Sequence, residues 1–117
     1  MEQTERLARL DALQKKLYAY ACAENSLYLD AVTVAPKNTA EGRGVALGIL
    51  AGEHQKLLTD PETKRLLDEL AAASGSLDAL HKREVELLRR ESGKLARIPA
   101  DEYMAYTELT NRASDVW

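Results

Sequence analysis

Apolar residues recur along this chain at helical spacing. Leu10, Leu17 and Ala31 are separated by multiples of seven, as are Leu13, Tyr20, Leu27 and Val34. Such rows lie on one side of a helix and predict a first helix of about thirty residues. Thr4 is its expected N-cap, with Glu5 in the first turn. At 1.5 Å per residue that helix is ~45 Å long, more than a compact domain of this size needs. Glu24 falls on the apolar row. Burying an unpaired acid is costly, so its carboxylate is expected at the edge of the seam, in water.

The pattern breaks at D-A-V-T-V-A-P-K-N-T-A-E-G-R-G, residues 30–44. Pro36 disfavours helical geometry in the residue before it and stops the first helix. Asn38 and Glu41 then form a capping-box-like pair, predicting a second helix to about Leu58. Within it Ala40, Gly44, Gly48 and Gly52 lie four apart in one stripe. Three glycines cost a helix about 3 kcal/mol relative to alanine. A close crossing with another helix backbone is the expected compensation.

Thr59-Asp60-Pro61-Glu62 combines an N-cap residue, proline at the first helical position and an acid, and so starts a third helix. That helix runs to about Ala73 with Leu66, Leu67 and Leu70 inward, and Ser74-Gly75-Ser76 is a turn. A fourth helix spans about Leu77 to Ala96, with Leu80, Val85, Leu88 and Leu95 among its apolar positions, and Ile98-Pro99 breaks it. The last helix opens on Asp101 and Glu102, with Tyr106, Leu109, Ala113 and Val116 as its expected buried face. No segment alternates with the period of a strand. The expected fold is all-α, a single domain over residues 1–117 built as a bundle of four to five helices with a long first helix.

Composition narrows the function. Phenylalanine is absent, so the core must be built from Leu, Ala, Val and Tyr. A net charge of −3 with interspersed signs builds no phosphate-binding face, which argues against nucleic acid. No segment approaches the ~20 apolar residues of a membrane span. Cys22 is the sole cysteine, expected to be buried, and its solitude points to a reducing, cytoplasmic setting. His54 shares a face with Leu47, Leu50 and Leu57 and reads as a core-edge residue. Asp78 and His81 have the i, i+3 spacing of half a helical di-metal site, but the other half is missing. Arg89, Arg90, Lys94 and Arg97 read as a solvated face near a helix C-terminus. The chain by itself therefore offers no catalytic or metal-binding set.

The break segment resembles a stretch near the N-terminus of the carboxypeptidase Taq family of metallocarboxypeptidases, which carries a W-D-Q-x-T-x-x-P-x-x-G-x-x-x-R-like pattern. Asp30, Thr33, Pro36, Ala40, Glu41 and Arg43 fall in the corresponding places, while Leu29 replaces the tryptophan, Ala31 the glutamine, and Asn38 with Thr39 the glycines. The resemblance continues through L-L-T-D-P-E-T-K-R-L-L-D-E-L at 57–70 and R-R-E-S-G-K-L-A-R-I-P-A-D-E-Y at 89–103. It implies an N-terminal piece of a longer enzyme, a helical lid over a cleft, that removes C-terminal residues from peptides. By the resemblance, Asp30, Thr33, Pro36 and Arg43 belong to that lid or cleft. The family's H-E-x-x-H motif holds a divalent metal, expected to be zinc, beside a glutamate base. Neither histidine here belongs to such a motif, since His54 precedes Gln55 and His81 precedes Lys82. This chain is therefore expected to be inactive alone and to bind no catalytic metal. Its expected partners are the remainder of the peptidase chain, a peptide substrate in the whole enzyme, and a second copy in a homodimer. In that picture the break turns the first helix back on the second, and the stripe of Gly44, Gly48 and Gly52 lets the two lie close. The alternative is a self-contained helical interaction or dimerisation module with no catalytic relative.

Overall fold

The computed structural model of the chain describes residues 2–33 and 38–116. Helix α1 is Gln3–Val32, α2 Ala40–Thr59, α3 Pro61–Ala72, α4 Ala79–Leu95 and α5 Ala100–Val116, with one 3-10 turn, Ser74–Ser76, between α3 and α4. No strand occurs among the described residues. The all-α expectation holds. Val34 and Pro36 lie outside the described residues.

Local chemistry sets most of the helix ends. Asp60 accepts a hydrogen bond from the Glu62 amide at 2.8 Å, with Pro61 opening α3, as its four-residue signal predicts. Asp78 caps α4 by accepting from the His81 amide at 3.2 Å. Two expected caps differ. Helix α1 begins at Gln3 behind Glu2, so Thr4 lies inside its first turn. Asn38 does not cap α2: Thr39 holds the N-cap position, and Asn38 sits at φ 69°, a left-handed conformation that asparagine adopts more readily than most residues. Its role is to turn the chain.

The helices assemble in two zones. In the first, Leu10, Leu13 and Leu17 of α1 meet Leu58 of α2, Leu66, Leu67 and Leu70 of α3, and Val85 and Leu88 of α4 in one leucine-rich core. Here α2 and α4 finish each other's ends. Gln55, buried on α2, donates from Nε2 to the Leu95 carbonyl at 3.1 Å and the Ile98 carbonyl at 2.7 Å. Ser92 of α4 returns a hydroxyl to the Leu58 carbonyl at 2.7 Å. Carbonyls at helix ends lack intrahelical donors, so these side chains replace the water excluded by packing.

The second zone is the seam of α2 with α5, the most extensive helix pairing among the described residues. A Cβ built on Gly48 would stand 3.3 Å from the Met104 carbonyl, one on Gly44 3.0 Å from Asn111 Nδ2, and one on Gly52 2.7 Å from Met104 Cγ. The glycine stripe thus admits α5, not α1. This reverses the expected face of α5. Tyr106, Leu109 and Val116 are 64%, 57% and 85% exposed, and Ala113 is exposed too. The groove floor is glycine backbone that brings the two helices too close for rings, so Met104, Glu108 and Asn111 meet it instead.

Candidate functional site

The two ends of the break segment converge with α5 around a cavity of about 310 Å³. Helix α1 contributes Tyr28, Ala31 and Val32 from its last turns, and α2 contributes Arg43 and Leu47 from its first. The wall is closed by Thr107, Thr110, Asn111 and Ser114 of α5. Arg43 occupies its floor with only 9% of its surface exposed. Its Nη1 donates to Thr39 Oγ1 at 3.0 Å, while its Nε is buried without a hydrogen-bond partner. Among the described side chains, which do not include that of Asp115, no carboxylate pairs with it. Asn111 pins α5 to the start of α2 by donating to the Ala40 carbonyl at 2.9 Å.

The residues assigned by resemblance are dispersed over this region. Asp30 is exposed on the last turn of α1. Thr33 ends α1 and turns its hydroxyl back to the Leu29 carbonyl. Pro36 lies outside the described residues. Only Arg43 lines the cavity. The α5 wall is hidden from sequence reasoning because the more apolar face of that helix is the one expected inward. The signal that could have found it is the run Thr107, Thr110, Asn111 and Ser114, polar positions at helical spacing.

Farther along the α1–α2 seam, His54 Nδ1 lies 3.4 Å from both carboxylate oxygens of Glu24, and its ring stacks on Tyr20 with centroids 6.0 Å apart. Glu24 is half-buried at the seam's edge, and its partner comes from within the chain. Tyr103 of α5 lies near this pair; burial, then the charges of Glu24 and Glu91, push its hydroxyl pKa up. Cys22, expected to be buried, is exposed, because α1 turns that position away from α2.

The described histidines each pair with carboxylates that do not converge on a common point. Around His81, Asp78 binds Nδ1 and Asp11 approaches Nε2 at 3.6 Å. The two acids thus sit at opposite edges of one imidazole and cannot converge on an ion. His54 is held by Glu24 alone among the described carboxylates. Among the described residues, no group of three His, Cys, Asp or Glu side chains is placed to hold a metal ion.

The sequence model of a protein family described as Carboxypeptidase Taq (M32) metallopeptidase matches residues 9–117. The chain belongs to this family. The match takes in the break segment, both linked helix starts at Asp60 and Asp78, and the whole of α5. No curated protein matches the chain, and no solved structure does. Membership makes this a domain related to metallocarboxypeptidases, a family whose chemistry uses a divalent metal. Among the described residues no helix is long and apolar enough to cross a membrane.

Proposed function

We propose that this chain is the N-terminal helical lid of a metal-dependent carboxypeptidase, and that the metal, the H-E-x-x-H helix and the peptide cleft are supplied by further sequence. The observation that carries the reading is the outer face of α5. Tyr106, Leu109, Ala113 and Val116 repeat at helical spacing, the pattern of a buried face, yet nothing among the described residues covers them. Apolar groups so patterned mark a surface built to meet another. Membership in the family suggests the occupant: the remainder of the peptidase, with the assembled enzyme a homodimer. In this reading the zinc or other divalent metal, its activated water and its glutamate base belong to that remainder, and this segment shapes access to them. Asp30 and Thr33 lie at the end of α1, and Pro36 falls between α1 and α2 in the sequence, where a lid would hinge or touch substrate.

A self-contained interaction module draws support from the closed leucine core, which needs no partner. The two readings separate on the parent reading frame. Continuation past residue 117 into H-E-x-x-H is expected, with release of C-terminal residues from a peptide by the encoded protein, abolished by a chelator. A frame without that motif, or release indifferent to chelation, would overturn the lid reading.

A further inference from the structure

We infer that the distal half of α1, residues 18–32, is an arm that unwinds from its C-terminal end while the leucine core stays folded, and that the contact of Glu24 with His54 is the latch holding it closed. The two halves of α1 are packed differently. Leu10, Leu13 and Leu17 are its buried residues, and all three belong to the core shared with α2, α3 and α4. Beyond Leu17 no described side chain of α1 is buried. Tyr20, Glu24, Leu27 and Ala31 continue the inward row but are only half-buried, while Tyr18, Tyr28, Leu29 and Val32 are each more than half exposed. Where the arm faces α2 and α5, Tyr28, Ala31 and Val32 line the cavity of about 310 Å³ instead of closing on those helices. Helices in proteins are held chiefly by the packing of one face, and segments with few buried apolar contacts open before the whole molecule does.

The end of the arm is also poorly finished. Its last turn carries no basic residue, and Asp30 sets a negative charge against the negative end of the helix dipole. Thr33 stands at the C-cap in place of a glycine terminator, and its amide reaches the Asp30 carbonyl at 3.4 Å. The arm is tied to α2 at one level. There His54 Nδ1 lies 3.4 Å from both carboxylate oxygens of Glu24, and Tyr20 stacks on the same imidazole. Glu24 stands midway along the arm, so the turns beyond it are held through it. Unwinding back to Glu24 withdraws Tyr28, Ala31 and Val32 and takes down one wall of the cavity. The core uses none of these residues and is left intact. The inference rests on the packing of α1 and stands apart from the lid reading.

The test is native-state hydrogen exchange, followed by NMR at one fixed pH, on this 117-residue chain. Amides of residues 21–32 are expected to exchange through an opening of their own, at least about tenfold faster than those of residues 10–17 once intrinsic rates are divided out. Glu24→Ala is expected to speed that exchange a further two- to tenfold or so, about the scale of one net hydrogen bond. His54→Ala is expected to do the same, and the double variant to exceed His54→Ala by nothing, because both changes remove one contact. Glu69→Ala breaks the Arg6 pair at the other end of α1 and is expected to leave residues 21–32 unchanged. Asp30→Lys is expected to slow exchange in the last turns about two- to fivefold by reversing the charge at the helix end. Exchange of residues 21–32 no faster than the core, or no slowing in Asp30→Lys, would overturn the unwinding arm. Additive effects of Glu24→Ala and His54→Ala, or an equal effect of Glu69→Ala, would overturn the latch.

Discussion

At the scale of the residue, His81 shows how one side chain links a helix end to pH. Asp78 caps α4 through its backbone contact with His81 and also holds the His81 ring. That hydrogen bond raises the imidazole pKa above its ordinary 6.5, against partial desolvation, with smaller contributions from the charges of Asp78, Glu84 and Asp11. The same hydrogen bond lowers the Asp78 carboxyl below 3.8. The signs follow from linkage. A histidine raised in the folded state stabilises fully below 6.5, and that contribution is lost as pH rises through its folded value. A carboxyl lowered in the folded state stabilises above 3.8, and that contribution is lost as pH falls through its folded value. The pair therefore supports α4 best in mildly acidic solution. Urea melts of the parent between about pH 6 and pH 8 are expected to show falling stability, with the slope reduced in His81→Gln. An unchanged slope in the variant would assign the pH dependence elsewhere.

At the scale of the element, α2 trades helix propensity for proximity. Its three seam glycines sacrifice intrinsic helix stability, and the return is the approach of α5 to within contact of the Gly48 backbone. The positions differ in what a side chain would strike. Gly48 faces a backbone carbonyl that cannot swing aside, whereas Gly52 faces the flexible end of Met104. Gly42, one turn from the bend, has nothing within 4 Å of where an alanine methyl would stand. Gly48→Leu is accordingly expected to lose ~1–3 kcal/mol by overpacking. Gly42→Ala is expected to gain about 0.4–1 kcal/mol, because alanine there meets no obstacle and stiffens the unfolded chain. Chemical denaturation of the two variants checks both signs. A Gly48→Leu protein as stable as the parent would remove the close crossing as the reason for the stripe.

At the scale of the whole molecule, the two zones have unequal completeness. Among the described residues the leucine core is built by four helices, while α5 adds nothing to it and keeps its apolar outer face in water. The elongated shape, 52 × 27 × 19 Å, leaves much of that face and the last turns of α1 accessible. The chain on its own is expected to self-associate through the α5 face, with Leu109→Lys returning it toward monomer. Sedimentation over a dilution series measures this. Leu17 is a poor probe for the same purpose: it is buried in the core, so a lysine there would report unfolding. A parent chain that stays monomeric at high concentration would favour the self-contained module.

What the sequence by itself determined is local. The helix boundaries at Asp60, Pro61 and Asp78, the inward triplet Leu66, Leu67 and Leu70, and the long α1 all follow from capping chemistry and hydrophobic period, which act within a few residues. The ordered motifs carry the family as well, because they are a property of residue order alone. What only the tertiary structure decided is which faces meet. Helix α5 carries two rows at helical spacing, one of large apolar residues and one led by Met104 and Asn111, and period alone ranks the first as buried. The shape of the α2 groove chooses the second, because glycine backbone accepts slender side chains and excludes bulky ones. The same choice created the cavity. Arg43 is legible as a motif position, but its burial depends on α5 arriving from a distant part of the chain to wall the cavity that it lines. Distant partners leave no mark in local spacing, so the sequence could name the arginine and could not say what surrounds it.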